Sequence, residues 1–280
     1  MGKLMTGKVV SEAIQKQIIE KVMQFKQKNI FPKLTVVRCG NKGSDLAYEK
    51  GILKTMETCE IKVEVIKKDL NISQTQFAET IKNLNADRKT HGILIFKPLP
   101  EQLCESQINN LIAPEKDVDG SNTLNLGKVI EDDQSGLFPC TPVAVMRLLN
   151  YYGISPKGKN VTIIGASNVV GKPLALMLIN AEATVTICHK ETKDVKKMCQ
   201  EADMVIAAAG VPNLVKATFI KKDTILVDVG INFVEGKMCG DVDEACYEKA
   251  GLMTPVPGGI GGITTTVLAE NVLKGCMLQN

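Results

Sequence analysis

The sequence predicts an α/β protein of two domains, and three observations point there. Short apolar runs of strand type alternate with helix-spaced segments along most of the 280 residues, the pattern of parallel sheets crossed over by helices. A turn-rich stretch at 114–142 interrupts the alternation, which starts afresh at Asn160. The length is also sufficient for two cores of ordinary size.

In the first set, residues 8–28 place Val10, Ala13, Ile14, Ile18, Val22 and Phe25 at three-and-four spacing, which reads as an amphipathic helix. Strand-type runs follow at 34–38 (LTVVR), 61–66 (IKVEVI) and 92–96 (GILIF), separated by helical patterns over 44–58 and 73–86. The second set runs VTIIG, a helix from about Val169, TVTIC, a short helix over 193–201, MVIAAAG and TILVDVG. Four strands with short crossovers predict a second parallel sheet. The tail from Thr264 to Met277 is helix-compatible and is assigned back to the first domain. The expected division is therefore 1–141 with 264–280, and 142–263.

Composition narrows the function classes. A net charge of +3 from 34 basic and 31 acidic residues is too small and scattered for a nucleic-acid or membrane surface. No apolar run approaches the roughly 20 residues of a membrane helix and no secretory signal opens the chain, so the expected location is cytoplasmic. Nine cysteines, an odd number without CxxC pairs or a His cluster at zinc spacing, read as reduced, mostly buried thiols with no metal site.

One motif carries chemistry. In VTIIGASNVVGKPLA a buried strand runs into a glycine turn and a helix start, where backbone amides and the helix dipole can hold a pyrophosphate. The pattern departs from GxGxxG because Ser167 stands between Gly165 and Gly171 as the second member, so alone it is a weak signal. The end of the next strand offers Cys188, His189 and Lys190 where an NAD site would place a carboxylate for the ribose. A cation there attracts a 2′-phosphate, so NADP is the expected cofactor. His189 lies beside the expected ribose pocket and reads as a cofactor contact or loop residue; His91, ahead of a buried strand, reads as packing.

Six strings, PEKDVDG, FPCTP, GASNVVGKP, TVTICH, VDVGIN and PVPGGIGGIT, follow one another across nearly the whole chain. In order and spacing they resemble the methylenetetrahydrofolate dehydrogenase/cyclohydrolase family. That resemblance implies a homodimer of chains in which a Rossmann-type domain faces the first domain across a cleft holding folate and NADP. The implied chemistry is oxidation of 5,10-methylenetetrahydrofolate by hydride transfer, then hydrolysis of the methenyl product to 10-formyltetrahydrofolate. The implied roles are Asp119 on the pterin ring, Pro257 and Gly258 lining the folate pocket, and Thr141 and Ile231 beside the nicotinamide. Gly165, Ala166 and Ser167 would hold the cofactor phosphates, and Lys190 the 2′-phosphate.

The sequence departs from the family at its hydrolytic site. The family pattern is a tyrosine with a lysine four residues later, plus a glutamine from a neighbouring strand. Tyr48 is present, but Ile52 and Phe96 occupy the other two positions. Lys50 and Lys54 fall at about 200° and about 240° from Tyr48 on an ideal helix, off its face. Lys97 can reach the site if the strand ends before it. Gly262, where the family has proline, is expected to loosen a turn with little effect. Tyr48, Lys97 and Lys54 are thus the catalytic candidates. The leading expectation is an NADP-dependent dehydrogenase whose hydrolytic step is weakened, lost or rebuilt. A fully bifunctional enzyme using Lys97 or Lys54 and a non-catalytic folate or dinucleotide binder are the rivals.

Overall fold

Runs of β-branched residues bounded by charged turns set the strands. The computed structural model describes residues 2–280. The chain opens with β1 (Lys3–Leu4) and α1 (Gly7–Gln27), then alternates β2 (Lys33–Cys39), α2 (Gly43–Thr58), β3 (Lys62–Lys68), α3 (Gln74–Ala86) and β4 (Gly92–Ile95). Strands β3, β2 and β4 form a parallel sheet in that order, with Val36 between Val65 and Leu94. Central β2 is apolar along its length because both its faces are covered: Leu34, Thr35, Val36 and Val37 are all fully buried. A reciprocal pair of bonds between Ser73 and Gln76 starts α3. Its Phe77, Ile81 and Leu84 then pack on Val37, Ile93 and Ile95.

The stretch expected to be turns holds more order than that. After α4 (Glu105–Leu111) come α5 (Thr123–Ile130) and α6 (Cys140–Tyr151). Eight residues with Gly127 inside are too few to show a helical period, and Pro142 masks a helix start that tolerates proline in its first turn. The Asn122 side chain caps α5 by accepting from the Leu124 amide.

The second sheet is built from β5 (Asn160–Ile164), β6 (Thr184–Cys188), β7 (Met204–Ala207) and β8 (Ile225–Asp228), with α7 (Gly171–Asn180) and α8 (Val195–Glu201) as crossovers. A hairpin of β9 (Asn232–Val234) and β10 (Lys237–Cys239) follows, then β11 (Leu252–Met253) and α9 (Ile260–Leu278). The sheet order is β1-β11-β8-β7-β5-β6, every pair parallel. The four expected strands form one continuous run with β6 at one edge, and β11 and β1 extend the other. Two-residue strands have no readable period, so sequence could not place them.

That edge corrects the expected division. The Lys3 and Met5 amides donate to the carbonyls of Gly251 and Met253, so Met1–Ser11 groups with Thr141–Thr264, and Glu12–Cys140 groups with Thr265–Asn280. All nine cysteines are free thiols, six of them buried. Among the described residues, no helix is long and apolar enough to cross a membrane, and no group of His, Cys, Asp and Glu is arranged to hold a metal ion.

Candidate functional site

The unit Glu12–Cys140 with Thr265–Asn280 gathers Tyr48, Phe96, Lys97, Glu105 and Asp119. Helix α2 runs unbroken from Gly43 to Thr58, so no distortion at Gly51 turns Lys50 or Lys54 toward Tyr48, and both are exposed. Ile52 is fully buried and serves the core. Lys97 instead lies beside Asp119, the acid that also acts on the Tyr48 phenol.

Two neighbours on the chain explain how. Phe96 is nearly buried, and its ring centre lies 5.4 Å from that of Tyr48, tilted by 39°. An aromatic wall thus stands where the family has an amide. Strand β4 ends at Ile95, which frees Lys97 from strand alternation. Its Nζ lies 3.8 Å from Asp119 Oδ2 and 3.7 Å from Glu105 Oε1. The nitrogen is closed off from solvent and has no acceptor within hydrogen-bonding range. An ammonium in that state is costly until a polar partner arrives.

The same enclosure acts on the acids. Burial pushes the Asp119 carboxyl up to about 6 against the pull of Lys97, and Asp117 and Glu105 add to the rise. Tyr48 keeps 42% of its surface exposed, yet burial is the largest influence on its phenol, followed by Asp119 and Cys140. All three act upward and keep it neutral, a donor as well as an acceptor.

Sequence reasoning missed the residues that hold Asp119 in place. Buried Asp117 accepts from the Ser121 and Asn122 amides and from the Asn125 side chain. Lys116, 4% exposed, donates to the carbonyls of Leu84, Asn85 and Asp87 at the end of α3, a lysine cap on a helix C-terminus. The signal was present: an aspartate followed four and five residues on by Ser and Asn suggests a side chain closing its own loop.

In the unit Met1–Ser11 with Thr141–Thr264, the chain goes from β5 to β6 on one side and crosses to β7 on the other. The crevice at the carboxyl ends of β5 and β7 is where such sheets take ligands. Gly165 sits there at φ +118°, and a Cβ on it would stand 2.1 Å from the Ala208 carbonyl oxygen. A Cβ on Gly171 would stand 1.9 Å from the Gly165 carbonyl oxygen. Only glycine closes this turn. Ser167 Oγ accepts from the Val170 amide, and α7 begins with no side-chain cap. The turn and the helix start fit a dinucleotide pyrophosphate.

Other expected contacts lie in the same unit. Lys190 follows β6 with its side chain 90% exposed, 3.9 Å from Glu191 Oε1. His189 accepts from the Glu191 amide at Nδ1 and shapes that loop. Half-buried Ala166 follows Gly165, Thr141 is the second residue of α6, and Ile231 stands 55% exposed beyond β8. Pro257 and Gly258 are exposed between β11 and α9, where the Gly258 carbonyl accepts from the Gly7 amide. Gly262 lies in the first turn of α9, not in a loose turn.

A parallel sheet with a phosphate-binding glycine turn, in a chain whose other unit clusters a tyrosine, a lysine and a raised carboxyl, defines a dinucleotide-dependent enzyme of two α/β units. The family model described as the tetrahydrofolate dehydrogenase/cyclohydrolase catalytic domain matches residues 5–119, and its NAD(P)-binding domain matches 139–280. The chain belongs to the tetrahydrofolate dehydrogenase/cyclohydrolase family. It is 48% identical to the bifunctional protein FolD of Alkaliphilus metalliredigens over 100% of this chain and 99% of that one. Among solved structures, the bifunctional FolD enzyme of Campylobacter jejuni is 42% identical, with a TM-score of 0.97 over the full length of both chains. The Trypanosoma brucei enzyme, solved with NADP cofactor and an inhibitor, is 30% identical, with a TM-score of 0.94 over 99% of this chain and 98% of that one.

Proposed function

We propose that this chain oxidises 5,10-methylenetetrahydrofolate with NADP and hydrolyses the methenyl product to 10-formyltetrahydrofolate, with Lys97 as the lysine of the second step. The relatives named above as bifunctional support both activities. The observation that carries the assignment of Lys97 is its enclosed Nζ, 3.8 Å from Asp119 and without a hydrogen-bond acceptor in range.

NADP supplies the hydride acceptor. Gly165, Ala166 and Ser167 hold its phosphates, Lys190 its 2′-phosphate, and Thr141 and Ile231 flank its nicotinamide. Asp119, Tyr48, Pro257 and Gly258 contact the folate. Hydride transfer asks these residues for orientation and needs no proton from position 52. Hydrolysis asks for more: water adds its oxygen to the bridging carbon, one proton goes to N5 as that bond opens, and one leaves. The Lys97 ammonium is placed to donate to the oxygen that adds, and the leaving proton goes to solvent, while Tyr48 and Asp119 hold the ring. Phe96 excludes water from the tyrosine's face.

The protein works as a homodimer in the cytoplasm, a compartment that nine free thiols suit. The test is a pair of assays on Lys97→Met. Reduction of NADP should stay within a few-fold of wild type, while loss of methenyl absorbance on direct addition of methenyltetrahydrofolate should slow at least a hundredfold. Lys54→Ala should change neither. Unimpaired hydrolysis by Lys97→Met would remove the lysine from the mechanism.

A further inference from the structure

Two buried carboxylates in the nucleotide-binding unit have no part in the chemistry above. Asp241 is fully buried. Its Oδ2 accepts from the Ala209 and Gly210 amides at 2.6 and 2.9 Å, and its Oδ1 accepts from the Asn232 side chain at 2.8 Å. Ala209 and Gly210 belong to the loop after β7, and Asn232, the first residue of β9, directly follows Ile231 at the end of the loop after β8. A Cβ on Gly230 would stand 2.1 Å from Asp241 Oδ1, so only glycine lets this side chain in.

Asp228 holds Asp241 in turn. Its Oδ1 accepts from the amides of Gly230 and Asp241, and its Oδ2 accepts from the Val242 amide, all at 3.0 Å. A Cβ on Gly240 would fall 1.8 Å from Asp228 Oδ2. The two acids interlock, each admitted by a glycine on the other's segment. The loop after β7 also backs the phosphate turn, because the Ala208 carbonyl is what a Cβ on Gly165 would strike. Both loops leave adjacent parallel strands at their carboxyl ends, the end at which the glycine turn also lies.

We propose that Asp241 is a positioning residue for hydride transfer, tying the loop after β7 to the loop after β8 and so fixing Ile231 against the nicotinamide end of the cofactor. The proposal rests on the dehydrogenase reading. Asp241 reaches no solvent and touches no reactant; it acts through Gly210 and Asn232, whose backbones set the floor on which the ring lies. A donor-rich pocket of this kind favours a carboxylate over an amide or an alkyl group.

Asp241→Ala and Asp241→Asn in the full chain test it, with four readouts: kcat at saturating NADP, the deuterium isotope effect from methylene-labelled substrate, and the Kd of NADP and of 2′,5′-ADP, which carries the adenosine end alone. Asp241→Ala should lower kcat at least tenfold, raise the isotope effect and weaken NADP while leaving 2′,5′-ADP binding unchanged. Asp241→Asn, which keeps an oxygen for the two amides, should recover several-fold of the lost kcat. An unchanged kcat and isotope effect in folded variants would overturn the proposal. So would a parallel loss of 2′,5′-ADP affinity, the mark of a generally loosened unit. If Asp241→Ala melts below assay temperature, Asp241→Asn decides by the same readouts. A wild-type protein that binds NADP and transfers no hydride would sink the dehydrogenase reading alone. The affinities then decide: loss for NADP only supports positioning of the nicotinamide end, and equal loss for both ligands overturns it.

Discussion

Replacing Asp119 by asparagine should make the protein more stable and less active at once. Burial holds the Asp119 carboxyl at about 6 against an ordinary 3.8. The folded protein therefore keeps this proton more tightly than the unfolded chain does. Ionisation penalises folding: the penalty is absent below about 3.8, grows as pH rises through that window and is complete above about 6. At about 1.4 kcal/mol per pH unit the full penalty is about 3 kcal/mol, and the pull of Lys97 is already contained in the value of about 6. The side chain is a quarter exposed, and solvent screening trims the figure to about 2 kcal/mol. Asp119→Asn carries no such charge. Its melting temperature should exceed wild type by several degrees at pH 8, and the gain should shrink to about a third at pH 4.5, while the KM for the folate substrate rises at least tenfold. Paired thermal melts at the two pH values read this directly. A variant less stable than wild type at pH 8, or one with the same gain at both values, would refute the reasoning.

Two other perturbations have clear outcomes. Lys190→Ala should raise the KM for NADP about tenfold, the size of one charge-assisted contact, and leave that for NAD unchanged; an equal effect on both would deny Lys190 the 2′-phosphate. Lys116→Met should lower stability by about 3 kcal/mol in urea titration, because three carbonyls at the end of α3 lose their donor; an unmoved midpoint would show that water replaces the lysine at no loss.

The α/β class, the seven longest strands and the glycine turn were legible because each depends on local pattern: β-branched runs of four or more residues, or glycines that no other residue can replace. What escaped was set by distance along the chain. Strand β1 is a strand only because Leu252 and Met253 lie beside it, and α5 and α6 are too short or too proline-marked to show a period. At the site, Ile52 and Phe96 announced a change, and the end of β4 at Ile95 decided which lysine answers it. No pattern near Lys97 names Glu105 as its second acid, since that contact depends on where α4 begins. Asp228 and Asp241, thirteen residues apart, look like surface charges in a polar stretch; only the fold reveals that Gly230 and Gly240 make room for them.

The pairing of β1 with β11 also bears on how the chain is made. Lys3 and Leu4 are synthesised about 250 residues before their partners Leu252 and Met253. The other unit likewise waits for Thr265–Asn280. Neither half is complete until these late segments are made, so the growing polypeptide carries two unfinished sheets through most of this stretch. Such a protein relies on holding factors during translation more than one whose domains finish in sequence.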